Sequence, residues 1–350
     1  MRSPGARGTV PDVKTVPAWP AAVGALVVAL LVVALLGGCV WDGPMSTVVA
    51  RSDLARSTLS VYGIITWASA IIGTLVFVAL GWILWRFRER PGGGLPRQIH
   101  GHALLEIAWT IAPALVLLII AIPTIQVIFR TQGVAAPASA LTVTVRGWQW
   151  WWEFRYPSLD VVTANELHLP TGRPIVLDLE GPDVIHSFWV PQLGGKRDVV
   201  PGRVNRITLT PDRPGEYWGQ CAEFCGASHA NMQLRVIVEE PAAFDRWVAA
   251  QKAPAPEPEG DAAAGRDLFT RHACVGCHTI RGVAAGALGP DLTHFGSRAL
   301  FGAGLWTTTP ENVAAWIKDP PALKPGSRMP NLGLNDADAK SLALYLTSLK

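Results

Sequence analysis

The stretch from Cys221 to Met232 concentrates side chains that bind metals. Two thiols (Cys221, Cys225), an imidazole (His229) and a thioether (Met232) fall within it, and His186 lies upstream in Ile-His-Ser-Phe-Trp. Soft sulfur donors mixed with imidazole suit copper. Two cysteines at this spacing can share two copper ions as bridging thiolates, an arrangement that moves single electrons with little rearrangement of the ligands.

The alternative is a structural zinc site with two cysteines and two histidines, whose ligand spacing is similar. A thioether is a poor zinc ligand, so this alternative leaves Met232 unexplained. The residue types therefore favour copper over zinc.

A second motif, Cys274-Val-Gly-Cys277-His278, is typical of covalent haem c attachment. The thiols add to the two vinyl groups, and His278 is placed to bind the iron. A lone Cys-x-x-Cys pair also occurs in redox-active and zinc-binding sites, but the histidine that follows favours haem. Of four methionines only Met329 lies in this part of the chain, which predicts His/Met ligation. His272 and His294 are the alternatives to Met329.

The composition indicates a membrane protein of two or three domains. The chain has 350 residues, of which 49% are hydrophobic and only 16% charged, a low share for a purely soluble protein. The net charge of +3 is too small to indicate nucleic-acid binding, and no basic run supports it.

The N-terminal region resembles a bacterial lipoprotein signal. Residues 21–36 are apolar, follow several basic residues and match the hydrophobic region of a signal peptide. Leu36-Gly-Gly-Cys39 then places small residues before a cysteine, which predicts acylation at Cys39. The alternative is an uncleaved anchor with an incidental cysteine.

Two further segments, Tyr62–Trp85 and Leu104–Phe129, are long and apolar enough to span a membrane. The loop between them is rich in arginine, which predicts that it is cytoplasmic and that everything after Phe129 faces outward. Glu106 enters the membrane at the start of the second span, so it is either functional or a carboxylate reaching the interface from the helix end.

After the spans the pattern changes to short alternating runs between Pro/Gly turns, which predict a sandwich or barrel. The predicted strands are Leu141–Val145, Glu166–Leu169, Pro174–Leu179, Asn205–Thr210 and Gln233–Val238. His168 fits an alternating strand as a surface histidine.

A proline-rich spacer at 253–260 predicts a flexible tether to a separate C-terminal domain. Helices are predicted at Phe244–Gln251, Glu311–Lys318 and Asp336–Leu349, the last with Asn335 as N-cap.

Three separated motifs resemble subunit II of cytochrome c oxidase. They are His186-Ser-Phe-Trp-Val-Pro, Lys196-Arg-Asp-Val-Val-Pro-Gly-Arg203, and the run from Gly215-Glu-Tyr-Trp-Gly-Gln-Cys221 to Met232. The resemblance covers roughly Ser46 to Gln251. It implies a binuclear copper centre, CuA, on a cupredoxin-like Greek key. The resemblance implies that Cys221 and Cys225 bridge the two coppers and that His186 and His229 are terminal ligands. It also implies that Met232 binds one copper weakly and that the main-chain carbonyl of Glu223 binds the other copper.

The same resemblance assigns roles outside the copper motif. The indole-rich run at residues 147–154 matches a family segment between the copper centre and subunit I, which implies electron exchange at Trp150 and Trp151. Packing or a membrane-interface belt is the alternative. The family glutamate that matches Glu106 lies near the mouth of a proton channel in subunit I.

The order of segments resembles subunit II of a caa-type oxidase, in which a class I cytochrome c domain is fused to the copper subunit. The predicted fold is a multidomain membrane protein: a signal (1–38), a two-helix hairpin (39–135), an all-β copper domain (136–252), the spacer (253–260) and an all-α cytochrome c domain (261–350). The resemblance implies a bacterial inner-membrane complex with subunits I and III. A cytochrome c or a bc-type complex would supply the electrons for oxygen reduction and proton translocation. The electrons would pass through haem c, CuA, the Trp150 region and then subunit I. The alternatives are the CuA subunit of a nitric oxide reductase and a membrane-tethered redox protein without a terminal enzyme.

Overall fold

Two long apolar helices begin the described part of the chain, which in this computed structural model comprises residues 42–88, 98, 100–132 and 137–350. They are α1 (Asp53–Arg86) and α2 (Ala103–Gln132), both long and apolar enough to cross a membrane. They confirm the predicted two-helix hairpin. Helix α1 starts before the predicted span because Ser52 caps it, accepting a hydrogen bond from the amide of Ala55 at 3.0 Å. The predicted signal and Cys39 lie outside the described residues.

The ten strands that follow form two five-stranded sheets, which confirms the all-β prediction. The strands are β1 (Leu141–Trp148), β2 (Trp151–Tyr156), β3 (Val161–Ala164), β4 (Glu166–Pro170), β5 (Ile175–Glu180), β6 (His186–Trp189), β7 (Arg197–Val199), β8 (Asn205–Leu209), β9 (Gly215–Cys221) and β10 (Gln233–Glu239). One sheet has the order β3-β2-β1-β5-β8, and the other β4-β10-β9-β6-β7. The pairs β1–β5 and β4–β10 are parallel and the rest are antiparallel.

The sandwich core is built from the inward faces of these strands. In β1 the residues Leu141, Val143 and Val145 are buried and alternate with partly exposed ones, as a strand with one face on a core requires. Trp152 and Phe154 of β2 are also fully buried. The five strands that the sequence did not predict are β2, β3, β6, β7 and β9.

The prediction that His168 is a surface histidine is wrong. It is 9% exposed, because helix α3 (Pro241–Lys252) covers β4 and stacks Trp247 on the imidazole with the ring centres 4.1 Å apart. The His168 Nδ1 atom also lies 3.0 Å from the carboxylate of Glu239. Alternation along one strand does not reveal a helix packed on its outer face.

The C-terminal region is helical, as predicted. Helix α4 (Asp261–Arg271) was not predicted. Both α4 and α5 (Pro310–Lys318) pack against α7 (Asp336–Ser348), and the short α6 (Pro320–Leu323) precedes the Met329 loop. Short hairpins are formed by β11 (Thr279–Ile280) with β12 (Ala284–Ala285), and by β13 (Leu300–Phe301) with β14 (Trp306–Thr307). Asn335 caps α7 by accepting from the amide of Asp338 at 2.9 Å, as the sequence predicts.

The helical domain is docked on the sandwich rather than held only by a flexible tether. Residues 253–259 form neither helix nor strand, yet Pro44–Lys350 is one compact unit. Across the junction the Gln233 amide donates to the Ala303 carbonyl at 3.1 Å, and Ser228 Oγ donates to the Pro325 carbonyl at 2.7 Å. The carboxylate of Glu166 accepts from the amides of Ala299 and Leu300 at 3.1 and 3.2 Å. These backbone contacts fix one orientation of the domain.

Candidate copper and haem sites

The loop between β9 and β10 brings the clustered donors together. Cys221 ends β9, and a hydrogen bond of 2.9 Å from its amide to the carbonyl of Met232 closes the loop. His186 begins β6, the neighbour of β9, and the register that pairs Phe188 with Cys221 places this histidine beside the loop. Ligands distant in sequence thus meet at one end of the sandwich.

All six predicted donors lie in one cluster built around the two sulfurs, which are 3.8 Å apart. Cys221 Sγ lies 3.9 Å from His186 Nδ1 and 3.2 Å from the carbonyl oxygen of Glu223. Cys225 Sγ lies 3.6 Å from His229 Nδ1 and 3.9 Å from Met232 Sδ. Each thiol therefore has one imidazole and one weaker donor beside it. This donor set fits two copper ions better than one zinc ion.

The donors are held in a buried setting. His186 and Met232 are fully enclosed, both cysteines are buried, and His229 is partly exposed. The side chain of Phe224 is 77% exposed and meets the ring of His229 edge-on, with the ring centres 5.7 Å apart. A metal bound here would be shielded from water on most sides.

Asp183 orients the histidine on β6. Its carboxylate accepts from His186 Nε2 at 2.9 Å and from the amides of Gln149 and Val184, both at 2.7 Å. With Nε2 as the donor, the unprotonated Nδ1 faces Cys221 and is available to a metal. Burial lowers the pKa of His186, but the hydrogen bonds with Asp183 and Cys221 together raise it above its ordinary value.

The two thiols shift each other's pKa in opposite directions. The hydrogen bond from Cys225 lowers the pKa of Cys221, and the same contact, together with burial, raises the pKa of Cys225. Cys221 therefore ionises first, and the proton on Cys225 must leave when metal binds.

A cavity of about 340 Å³ in the C-terminal domain contains the predicted haem residues Cys277, His278 and Met329 in its wall. Cys274 lies in the adjoining 3₁₀ turn, Cys274–Gly276. His278 Nδ1 donates to the carbonyl of Pro290 at 2.9 Å, which leaves Nε2 free to bind iron. Burial lowers the pKa of His278 and keeps it neutral, as a metal ligand must be. The chemistry of this wall fits haem c.

The alternatives to Met329 lie elsewhere. His294 Nε2 is 3.1 Å from the carbonyl of Ala253, and His272 Nε2 is 3.5 Å from the carboxylate of Asp338. Neither histidine is in the wall of the cavity, whereas Met329 is. The geometry therefore supports Met329 as the second axial ligand.

The copper domain supplies one side of the same cavity, through Trp148, Gln149, Trp150, Trp151 and Asn165. The Trp150 indole N–H donates to the carbonyl of Cys225 at 3.1 Å, and the Gln149 amide donates to the same oxygen at 2.8 Å. Trp151 stacks on Trp148, with ring centres 6.1 Å apart. Trp150 thus touches the copper loop and also borders the haem cavity.

This position corrects the expectation that the indole run lies between copper and subunit I. Trp150 is 9% exposed because the loop after α6 covers it, and a Cβ atom added at Gly326 would lie 2.6 Å from its ring. The ring is therefore enclosed by this chain's own cytochrome-type domain. The sequence run alone could not show which surface would cover it.

Glu106 lies in the first turn of α2, where its carboxylate accepts from the amide of His102 at 3.2 Å. This contact satisfies a free amide at the helix start, as carboxylates commonly do there. A role for Glu106 in proton uptake stays a prediction.

Several residues around the sites were not found from the sequence. Asp183 contacts His186, and Gln149 contacts the loop at Cys225. Lys324 and Arg328 lie at the junction of the two domains. Asp183 carries a weak signal, since it precedes a ligand histidine by three residues. Lys324 carries none, because it is an isolated lysine whose surroundings come from distant segments.

Comparisons with known proteins give the family of each part of the chain. The chain matches the families described as "Cytochrome C oxidase subunit II, transmembrane domain" at residues 48–127, "Cytochrome C oxidase subunit II, periplasmic domain" at 158–240, and "Cytochrome c" at 262–350. Cytochrome c oxidase subunit 2 of Alkalihalophilus pseudofirmus is 39% identical over 80% of this chain and 84% of that protein. Its counterpart from Bacillus subtilis is 33% identical over 91% and 96%. The crystal structure of the periplasmic domain of subunit II from Bradyrhizobium japonicum is 32% identical over 34% of this chain and 97% of that one, with a TM-score of 0.33.

Proposed function

The chain belongs to the cytochrome c oxidase subunit II family, with a C-terminal cytochrome c domain, and from this premise we propose that it receives electrons at one covalently bound haem c, passes them to a binuclear CuA centre and delivers them to subunit I. Subunit I would reduce oxygen to water with coupled proton translocation. The chain is thus a subunit of an oxidoreductase complex.

The observation that supports this proposal best is the double contact of Trp150. Its indole N–H donates to the carbonyl of Cys225 in the copper loop, and its ring borders the cavity that holds His278 and Met329. Electron tunnelling weakens steeply with distance, so two redox sites that share one side chain in contact are arranged for rapid exchange.

The clustering of the donors supports an assignment of the residues that would hold each group. Cys221 and Cys225 would bridge two copper ions, and His186, His229, Met232 and the carbonyl of Glu223 would complete the ligands. Cys274 and Cys277 would attach the haem, with His278 and Met329 as axial ligands. Copper in such a site and haem iron each exchange one electron at a time.

We infer the order of transfer from the burial of Trp150. Because the cytochrome domain covers this ring, we place Trp150 and its neighbour Trp151 between the haem site and the copper loop. Electrons would pass from an external donor to the haem site, then through the Trp150 region to the copper loop and on to subunit I. The exit to subunit I would then use another face of the copper domain.

The membrane arrangement supports the same function. Helices α1 and α2 would anchor the chain in a bacterial cell membrane beside subunits I and III, with both redox domains outside. Acylation at Cys39 would add a second anchor, and a mature chain that begins at a lipid-modified Cys39 in mass spectrometry is the expected result. The donor would be a cytochrome c or a bc-type complex, and Glu106 would lie near the proton entrance of subunit I.

Purification of the native complex through a tag on this chain tests the function. Co-purification of haem a with copper beyond that of this chain is the expected result. Haem b with non-haem iron would indicate the nitric oxide reductase alternative. A chain that purifies without any partner subunit would indicate a tethered redox protein.

A further inference from the structure

Lys324 is a buried cation at the junction of the two domains. Its side chain is 4% exposed and lies in the wall of the haem cavity. The ammonium group donates to the carbonyl of Trp150 in the copper domain at 2.7 Å and to the carbonyl of Gly302 in the cytochrome domain at 2.9 Å. One lysine thus joins the main chains of both domains.

In the described part of the chain, this ammonium group has no carboxylate partner. Among residues 42–88, 98, 100–132 and 137–350, no carboxylate lies within ion-pair distance of Lys324, and an ammonium group has three donors of which two are used here. Burial lowers the pKa of Lys324 to about 7. A buried cation is costly unless an anion accompanies it.

The chemistry of the cavity indicates which anion would accompany Lys324. The carboxylate of Asp183, on the copper side, is already engaged by His186 and by two amides. Under the proposed function, on which this inference rests, the cavity receives haem, and haem carries two propionate carboxylates. A propionate would supply both the missing charge and the third hydrogen-bond acceptor.

We propose that Lys324 is an anchor between the domains that binds a haem propionate and holds it against the main chain of Trp150. Lys324 lies five residues before Met329, in the same loop, so the anchor also positions the axial ligand. A fixed positive charge beside haem favours the reduced, less positive iron, because the added electron is attracted to it. Lys324 therefore raises the haem reduction potential as well as positioning the haem.

The test compares variants of Lys324 in the intact, membrane-purified complex. Lys324→Met removes the charge at similar length, Lys324→Gln removes the charge but keeps a donor, and Lys324→Arg keeps the charge. Lys340→Met, on the exposed face of α7, is the matched control. Potentiometric titration of the haem absorption band gives the reduction potential, and the copper spectrum reports that the neighbouring site is assembled.

Both neutral variants should lower the equilibrium constant for haem reduction about tenfold, which is about 59 mV for one electron. The Arg variant and the Lys340→Met control should stay near the wild-type potential. A merely structural lysine would change the unfolding temperature and leave the potential in place. If Lys324→Met fails to accumulate, Lys324→Gln still decides, since its side chain retains a hydrogen-bond donor.

The proposal is overturned if covalently bound haem in a neutral variant titrates at the wild-type potential. A wild-type chain that carries no covalent haem would instead refute the proposed function itself. The same preparation therefore distinguishes failure of the Lys324 proposal from failure of the proposed function.

Discussion

The indole N–H of Trp150 donates a hydrogen bond to the main-chain carbonyl of Cys225, with 3.1 Å between nitrogen and oxygen. Cys225 is one of the two clustered thiols, and the ring of Trp150 lies in the wall of the haem cavity. This bond connects the copper loop to the wall of the haem cavity. It explains why an aromatic side chain with a polar group is useful at this position.

Trp150→Phe should slow electron transfer from haem c to copper at least tenfold. Phenylalanine keeps a ring but loses the N–H, so the contact with the Cys225 carbonyl is broken. The stability cost should be small, about 1 kcal/mol for one hydrogen bond. Flash-induced kinetics on the intact complex measure the rate.

Trp247→Phe is the control, because Trp247 stacks on His168 and is not in the wall of the haem cavity. It should leave the transfer rate unchanged. Equal rates in wild type and Trp150→Phe would show that Trp150 serves only in packing.

Asp183→Asn should weaken copper binding 10- to 100-fold. The carboxylate that accepts from His186 Nε2 would be replaced by a neutral amide, and partners of this kind fix the ring and raise its basicity. Copper titration against a competing chelator measures the affinity. Asp198→Asn, at an exposed position of β7, should retain wild-type affinity. Similar affinities for the two variants would contradict the role of Asp183.

Acid should remove the stabilisation that Asp183 provides to the copper-free chain. Burial raises the pKa of Asp183, but hydrogen bonds from His186, Gln149 and Val184 have the larger effect and lower it. The pKa of Asp183 therefore lies below its ordinary value of 3.8. A carboxyl group whose pKa is lower in the folded chain stabilises the fold at pH values above its ordinary pKa. This contribution is lost as the pH falls through the pKa of the folded chain. The difference in unfolding temperature between wild type and Asp183→Asn should therefore shrink below pH 3.8. A difference that grows in acid would contradict this assignment.

The copper loop was predictable from sequence because most of its ligands lie in one segment. The loop between β9 and β10 carries Cys221, Cys225, His229 and Met232, so their spacing alone indicates a shared site. His186 is distant in sequence, and its place in the site follows from the pairing of β6 with β9. The two membrane-type helices were equally predictable, since length and apolar character define them.

The junction between the domains was not predictable, because it depends on contacts between distant segments. The proline-rich spacer indicated a loose tether, but Glu166, Gln233 and Ser228 fix the cytochrome domain through hydrogen bonds to the main chain of that domain. The same docking encloses Trp150 and Lys324. Neither residue carries a local pattern that shows which surface will cover it.

This one chain should carry electrons from haem c to copper. Rapid mixing of the purified complex with a reduced donor, without oxygen, follows haem c in the visible range and the copper centre in the near infrared. Haem c should be reduced first, and copper should follow at a rate independent of complex concentration, because both sites lie in one docked unit. Copper reduction that precedes haem c, or whose rate rises with complex concentration, would contradict the account.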